Sequence, residues 1–282
     1  MSRTPLKPYA GVLLWADLDG TLLNPERQLD PENLHALRQF HDGGGKFGVA
    51  TGRSDHSLSL NFPELTLTLP GIFYNGALMK WAHEPDPVFF AHLPTEPVEV
   101  LDSLLDAFPG IGVEMLQGGR AWLARTSPVL AAQLAREGLH PVACAPADVP
   151  CGWFKVLLGG EPDMLRRAHA FLSARLPASF TLVFSEDNLL EILPAGVSKG
   201  RAIRRFLDGT AAEAHVPAPP PVLVTVGDND NDADMLATAD IGIAMGDASA
   251  AAKSAAGHVI GTNRTACLPQ VLALLEPLRH KG

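Results

Sequence analysis

The chain is poor in cysteine, in clustered positive charge and in long apolar runs, and each shortage removes a class of protein. Three cysteines in 282 residues, Cys144, Cys151 and Cys267, are odd in number and lack the spacing of a metal site. They suit free, mostly buried thiols in a reducing cytoplasm rather than a disulfide framework. Lys and Arg number 22 against 31 Asp and Glu, a net charge of −9, and the basic residues do not cluster. A general nucleic-acid binder or a binder of anionic membranes needs a basic patch, so neither partner is expected. A small anionic substrate stays open, because a few local cations can hold one inside an acidic protein. No apolar stretch approaches a membrane span. Arg3 and Lys7 precede only a short apolar run that ends at Asp17, so no signal peptide is expected and the protein reads as cytoplasmic. Internal repeats and low-complexity tracts are lacking as well.

What is present is an ordinary globular balance, 46% apolar and 19% charged, in a length that suits one large or two moderate domains. The organising stretch is Trp15-Ala16-Asp17-Leu18-Asp19-Gly20-Thr21. The apolar run Val12 to Ala16 reads as a buried strand of a parallel sheet. Alternate strand residues share a face, so Asp17 and Asp19 can converge where the strand ends. Two close anions repel unless a cation, a proton or hydrogen bonds offset them. An ordinary strand running into an Asp-Gly turn is the alternative reading of this stretch alone.

The rest of the chain falls into three parts. Asp30-Pro31-Glu32 reads as an N-cap, a first-turn proline and a first-turn acid, opening a helix to about Asp42 that Gly43-Gly44-Gly45 ends. A strand at Lys46–Ala50 runs into Thr51-Gly52-Arg53-Ser54, a short helix follows from about Ser54, and a strand from Gly71 through Tyr74 turns at Asn75-Gly76. This is the rhythm of a parallel sheet with crossovers. Beyond the proline-rich link at 82–87, strands come in hairpin-like pairs among helices near 96–108, 128–137 and 163–176, which suits an antiparallel α+β sheet. After Pro194-Ala195-Gly196 the α/β rhythm returns: a helix over Ser198–Leu207, a stiff loop over Pro217–Pro221, a strand over Val222–Val226, a short helix, a strand over Ile241–Met245, a helix from Ser249 and a closing helix over about 266–278. The expected layout is one discontinuous α/β domain, residues 1–83 and 195–282, with an α+β domain, 84–194, inserted in it.

Polar clusters follow three of the strands directly: Asp17/Asp19, Thr51-Gly52-Arg53 and Asp228 to Asp232. Ligands of open parallel sheets bind at the carboxyl ends of strands, so the three belong to one edge. Thr51 offers a hydroxyl and Gly52 a close backbone approach to an anion, with a plain capping turn as the alternative. Asp228, Asp230, Asp232 and Asp234 put four acids within seven residues. A helix-loop-helix calcium loop would need Gly and Glu where Ala233 and Ala239 stand, so a magnesium site shared with substrate phosphate fits better. Asp230 and Asp234 are read as a solvated turn and left outside the site. Lys199 lies in the first turn of a helix capped by Ser198, where the macrodipole disfavours a cation; a local rule broken beside a site points to function.

Asp-Leu-Asp-Gly-Thr, Thr51-Gly52-Arg53, Gly196-Val-Ser-Lys199-Gly and Gly227-Asp-Asn-Asp-Asn-Asp232 stand in the order of the four motifs of the haloacid dehalogenase-like phosphatases, and the chain resembles that family over nearly its whole length. The insert resembles the large α+β cap of the Cof-type sugar-phosphatase subgroup, and Asn75-Gly76-Ala77 and Ile243-Ala244-Met245-Gly246 agree with it. Asp247 and the segment Thr262–Leu268 depart from the subgroup's pattern. The resemblance implies a Rossmann-like parallel-sheet core with an inserted α+β cap domain. It implies Asp17 as nucleophile and Asp19 as general acid/base, with Mg2+ held by Asp17, the Asp19 carbonyl and Asp228. Thr51, Gly52, Lys199 and Asn231 would hold the phosphoryl oxygens, and Asp232 would orient Lys199 or a metal-bound water. Arg53 would steer substrate or form a structural salt bridge. The expected substrate is a small phosphorylated metabolite such as a sugar phosphate, with a phosphomutase or a non-catalytic phosphate binder as the alternatives. In the cap, Glu114, Arg120, Trp122 and Arg125 are candidates for substrate selection, each with ordinary packing as its alternative. The oligomeric state is not legible.

Overall fold

A computed structural model describes residues 7–212 and 221–276. The first segment holds β1 (Val12–Ala16), α1 (Pro31–Asp42), β2 (Lys46–Val49), α2 (Asp55–Asn61), β3 (Gly71–Phe73) and β4 (Leu78–Lys80). There follow β5 (Pro87–Phe90), α3 (Val98–Ala107), β6 (Gly112–Gln117), β7 (Arg120–Arg125), α4 (Pro128–Glu137) and β8 (Val142–Ala143). The inserted part ends with β9 (Lys155–Gly159), α5 (Pro162–Ser173), β10 (Phe180–Glu186) and β11 (Leu189–Pro194). The last segment holds α6 (Lys199–Ala212), β12 (Val222–Gly227), α7 (Ala233–Thr238), β13 (Ile241–Ala244), α8 (Ala250–Ala255), β14 (His258–Val259) and α9 (Cys267–Leu275). Most of the expected loop at Pro217–Pro221 and the end of the expected closing helix lie outside the described residues.

The chain forms two compact units, one of residues 1–51, 64–88 and 198–282, the other of residues 52–63 and 89–197. In the first unit a five-stranded sheet runs in the order β14-β13-β12-β1-β2, every pair parallel. β1 is therefore an interior strand, flanked by β12 and β2, which is why all five of its residues are buried and apolar. Trp15 anchors it: its indole is fully buried, donates to the Pro70 carbonyl at 3.0 Å and meets the Phe206 ring edge-on. Burying an aromatic or aliphatic side chain of this kind contributes about 1.5–3 kcal/mol. The third strand of the expected parallel rhythm is present but also opens an antiparallel pairing. β3 follows the β2 edge in parallel through the Ala50–Ile72 bridge, and it pairs antiparallel with β4 in a three-stranded sheet, β3-β4-β5. The reason is local: Asn75-Gly76 reverses the chain at once and leaves no room for a crossover helix.

The helix start read at Asp30 holds, with its carboxylate accepting from the Glu32 amide at 2.8 Å. Ser54 and Ser249 cap α2 and α8 in the same way. In the second unit a six-stranded sheet runs β10-β11-β9-β6-β7-β8, antiparallel except for the β7–β8 edge. One face carries Val113, Met115, Val156, Leu158, Leu190 and Ile192 against Leu101 and Leu104 of α3 and Leu165, Ala168 and Leu172 of α5. The other face packs Leu157 and Leu189 against Leu130 of α4. Among the described residues, no helix is long and apolar enough to cross a membrane.

Candidate active site

The order β12-β1-β2 puts the carboxyl ends of three neighbouring parallel strands side by side. Asp17 extends β1, its amide donating to the Val226 carbonyl of β12 at 2.9 Å, and Asp228 follows β12 directly. Thr51 follows β2, its amide donating to the Ile72 carbonyl at 2.8 Å. Backbone pairing in the sheet therefore fixes where these three side chains begin.

Lys199 joins them from the first turn of α6. It is only 1% exposed, and its Nζ donates to Asp17 Oδ1 at 2.7 Å and to Asp232 Oδ1 at 2.6 Å. The position breaks the macrodipole rule because the buried carboxylates are much closer charges than the helix end. Burial alone would lower the Lys199 ammonium, but Asp17 and Asp232 outweigh it and hold it above its ordinary range. Asp232 is fully engaged, its second oxygen accepting from the amides of Asp228 at 2.9 Å and Asn229 at 3.0 Å. That pattern makes it a support that fixes Lys199 and the turn after β12.

Oxygens of Asp17, Asp228 and Asp232 lie within 4.8 Å of one another. Three carboxylates facing one ammonium leave excess negative charge. Burial first, then Asp232 and Asp228, push the Asp17 carboxyl well above the usual range, with Lys199 opposing. Burial and Asp232 push Asp228 up to about 7, although the Thr21 hydroxyl, which donates to its Oδ1 at 2.7 Å, pulls it down. A buried all-oxygen site with this surplus suits a hard divalent cation. Because both oxygens of Asp232 are committed, Asp17 and Asp228 are the carboxylates suited to hold it.

Asp19 stands apart from that cluster. Its Oδ1 is bonded by Arg27 Nη1 at 3.2 Å, and both side chains are one-third exposed. Asn231 donates from Nδ2 to Asn75 Oδ1 at 3.0 Å, and its own Oδ1 is buried with no hydrogen-bond partner among the described residues. Gly52 belongs to the second unit, where its carbonyl accepts from Lys155 Nζ at 2.9 Å. Arg53 is buried there with its guanidinium 5.5 Å from the centre of the Phe62 ring.

Other expected residues find plainer surroundings. Asp230 is exposed, but Asp234 is not a solvated turn residue: its Oδ2 accepts from the Ser198 hydroxyl and from the Gly200 amide, tying α7 to the start of α6. Arg125 donates to the Leu105 and Phe108 carbonyls at the end of α3, and Trp122 packs on the apolar core of its unit. Arg120 is exposed. Glu114 is 2% exposed in the sheet that also buries Lys155 and Glu191. Three contacts escaped the sequence: Thr21 on Asp228, Arg27 on Asp19 and Asn75 on Asn231. A signal existed for the first and last, since Thr21 and Asn75 both sit in a turn directly after a strand.

A family model described as haloacid dehalogenase-like hydrolase matches residues 14–272. An HMP-PP phosphatase of Klebsiella pneumoniae (strain 342) is 30% identical over 189 residues, covering 66% of this chain and 68% of its own. The pyridoxal phosphate phosphatase YbhA of Escherichia coli (strain K12) is 25% identical over 269 residues, covering 91% of this chain and 95% of its own. Among solved structures, a haloacid dehalogenase-like hydrolase from Bacteroides thetaiotaomicron superposes with a TM-score of 0.81 at 21% identity, covering 93% of this chain and 99% of that one.

Proposed function

The chain belongs to the haloacid dehalogenase-like hydrolases, and from that premise we propose that it is a Mg2+-dependent phosphatase of small phosphorylated metabolites, sugar phosphates among them. The observation that carries the reading is Lys199 clamped between Asp17 and Asp232 beside Asp228. Relatives named for HMP-PP and pyridoxal phosphate support a small phosphorylated substrate. Residues 84–194 are assigned the selection of that substrate.

In the first step an Asp17 carboxylate oxygen attacks phosphorus while the ester P–O bond breaks. Asp19 gives its proton to the leaving oxygen, so the alcohol departs neutral. In the second step Asp19 takes a proton from water, whose oxygen attacks the phosphorus of the aspartyl-phosphate. Inorganic phosphate leaves and the Asp17 carboxylate is restored. The Thr51 hydroxyl, the Lys199 ammonium and the Asn231 carboxamide hold the non-bridging oxygens. Asp17, the Asp19 carbonyl and Asp228 would hold Mg2+, which would supply charge stabilisation to the phosphoryl group.

Steady-state turnover of p-nitrophenyl phosphate with Mg2+ and with EDTA tests the reading. We expect Mg2+-dependent release of free phosphate in equal amount with p-nitrophenol, and none from Asp17→Asn. Wild-type activity in that variant, or no turnover of any ester in a broad metabolite panel, sinks the proposal.

A further inference from the structure

The turn between β3 and β4 has no part in the chemistry above, yet its backbone holds two consecutive non-glycine residues in the left-handed region. Tyr74 and Asn75 take left-handed backbone angles, φ 50° and 54°, and Gly76 follows at φ 103°. Side chains other than glycine rarely adopt that region, and consecutive ones persist only where the surroundings determine them. Tyr74 is fully buried and Asn75 is 3% exposed. A buried carboxamide is costly unless its polar atoms are bonded.

The bonds it makes run to the loops of the candidate site. The Asn75 amide donates to the Thr51 carbonyl at 3.1 Å. Asn75 Oδ1 accepts from Asn231 Nδ2 at 3.0 Å, across 156 residues of sequence. Gly76 lies against the residue before Lys199: a Cβ added to it would sit 2.4 Å from the Ser198 carbonyl oxygen. One strained turn thus touches the Thr51 loop, the Asn231 loop and the start of α6, all in the same unit.

We propose that Asn75 is a positioning residue of the phosphoryl site, holding the Asn231 carboxamide in one orientation and in register with Thr51 through the left-handed turn. The assignment rests on the hydrolytic reading given above. A carboxamide carries two N–H groups; with one bonded to Asn75, the rotation of Asn231 is set and the second is left for an anionic oxygen. Setting such a donor in advance spares the ordering cost when the substrate binds.

Asn75→Gly separates this role from a merely structural one, because glycine accepts the left-handed backbone and keeps the amide on Thr51 while removing the carboxamide. We expect its Tm to stay within a few degrees of wild type, kcat/KM on p-nitrophenyl phosphate to fall about 10- to 100-fold, and inorganic phosphate affinity by calorimetry to fall about tenfold, within the range of one charge-assisted hydrogen bond. Asn75→Gly/Asn231→Ala is expected to be no worse than Asn231→Ala, since the two side chains act as one unit. Unchanged kinetics and phosphate affinity in Asn75→Gly, or losses that multiply in the double variant, overturn the proposal. If Asn75→Gly does not fold, the same cycle is run with Asn75→Ala, which also removes the accepting oxygen, and additive losses again overturn it. A wild type that turns over no ester defeats the hydrolytic reading alone. The positioning role is then read from phosphate affinity, and a wild type that binds no phosphate defeats it as well.

Discussion

Gly20 lies against Asp228: a Cβ placed on Gly20 would come within 2.3 Å of Asp228 Oδ2 and 2.9 Å of Oδ1. Gly20 also sits at φ 83°, in the region glycine alone occupies cheaply. Gly20→Ala is therefore expected to push the Asp228 carboxylate out of the acidic cluster and to cost about 1–2 kcal/mol in backbone strain. The expected result is a kcat loss of about 10²-fold and a raised Mg2+ requirement, both seen in a metal titration of turnover. Wild-type Mg2+ dependence in this variant would show that the close approach is incidental.

Lys199 is the only cation bonded to both Asp17 and Asp232 among the described residues. Lys199→Met leaves two buried carboxylates without their partner, a change that costs about 3–5 kcal/mol. We expect a lower Tm in the metal-free protein, partly restored by saturating Mg2+, because a ligand bound only by the native state stabilises it. The kcat loss is expected at about 10²–10³-fold. Calorimetry with and without Mg2+ checks the first expectation, and a Tm indifferent to Mg2+ would count against a cation between Asp17 and Asp228.

In the second unit Lys155 pairs with Glu191 at 3.0 Å, both nearly fully buried, and also bonds the Gly52 carbonyl. Lys155→Met alone removes the ammonium paired with the buried Glu191 carboxylate and is expected to cost about 3–5 kcal/mol, whereas Lys155→Met/Glu191→Leu recovers much of it. The recovered double variant still lacks the donor to Gly52. Its stability is therefore expected to stay about 1–3 kcal/mol below wild type, the worth of the lost charged hydrogen bond to the Gly52 carbonyl. Denaturant unfolding of wild type and both variants separates the two effects, and a double variant as stable as wild type would show that this bond contributes nothing.

Glu114 faces Glu137, Lys155 and Glu191. Burial first, then Glu137, push its carboxyl up to about 8, with Lys155 opposing and Glu191 adding. The folded protein thus holds a proton that the unfolded chain releases near 4.5. Stability from this group is fully present below pH 4.5 and falls by about 1.4 kcal/mol per pH unit as pH rises, until it is lost above pH 8. Glu114→Gln mimics the protonated form, so its Tm should change less between pH 5 and pH 8 than that of wild type. Parallel Tm profiles for the two proteins would refute this.

How much of this was legible depends on where each interaction closes. Asp17, Thr51 and Asp228 could be read because each follows an apolar strand directly, and the direction of a parallel sheet then sends all three to one edge. Lys199 was legible as a cation placed against its helix dipole. Asp234 was misread, because a carboxylate in a polar run looks solvated until Ser198 and Gly200 are seen to reach it.

The sequence by itself determined the strands, the caps, the order of the motifs and the identity of the acidic residues, because those depend on contacts within a few positions of the chain. Only the tertiary structure decided the pairings. Thr21 finds Asp228 across 207 positions and Asn75 finds Asn231 across 156. The physical reason is strand order: β1 lies beside β12, not beside its chain neighbours alone. That adjacency makes the Asp-Gly-Thr turn a support of the candidate site, while the Ala50–Ile72 bridge and the Asn75 amide on the Thr51 carbonyl bring the Asn-Gly turn to the same edge.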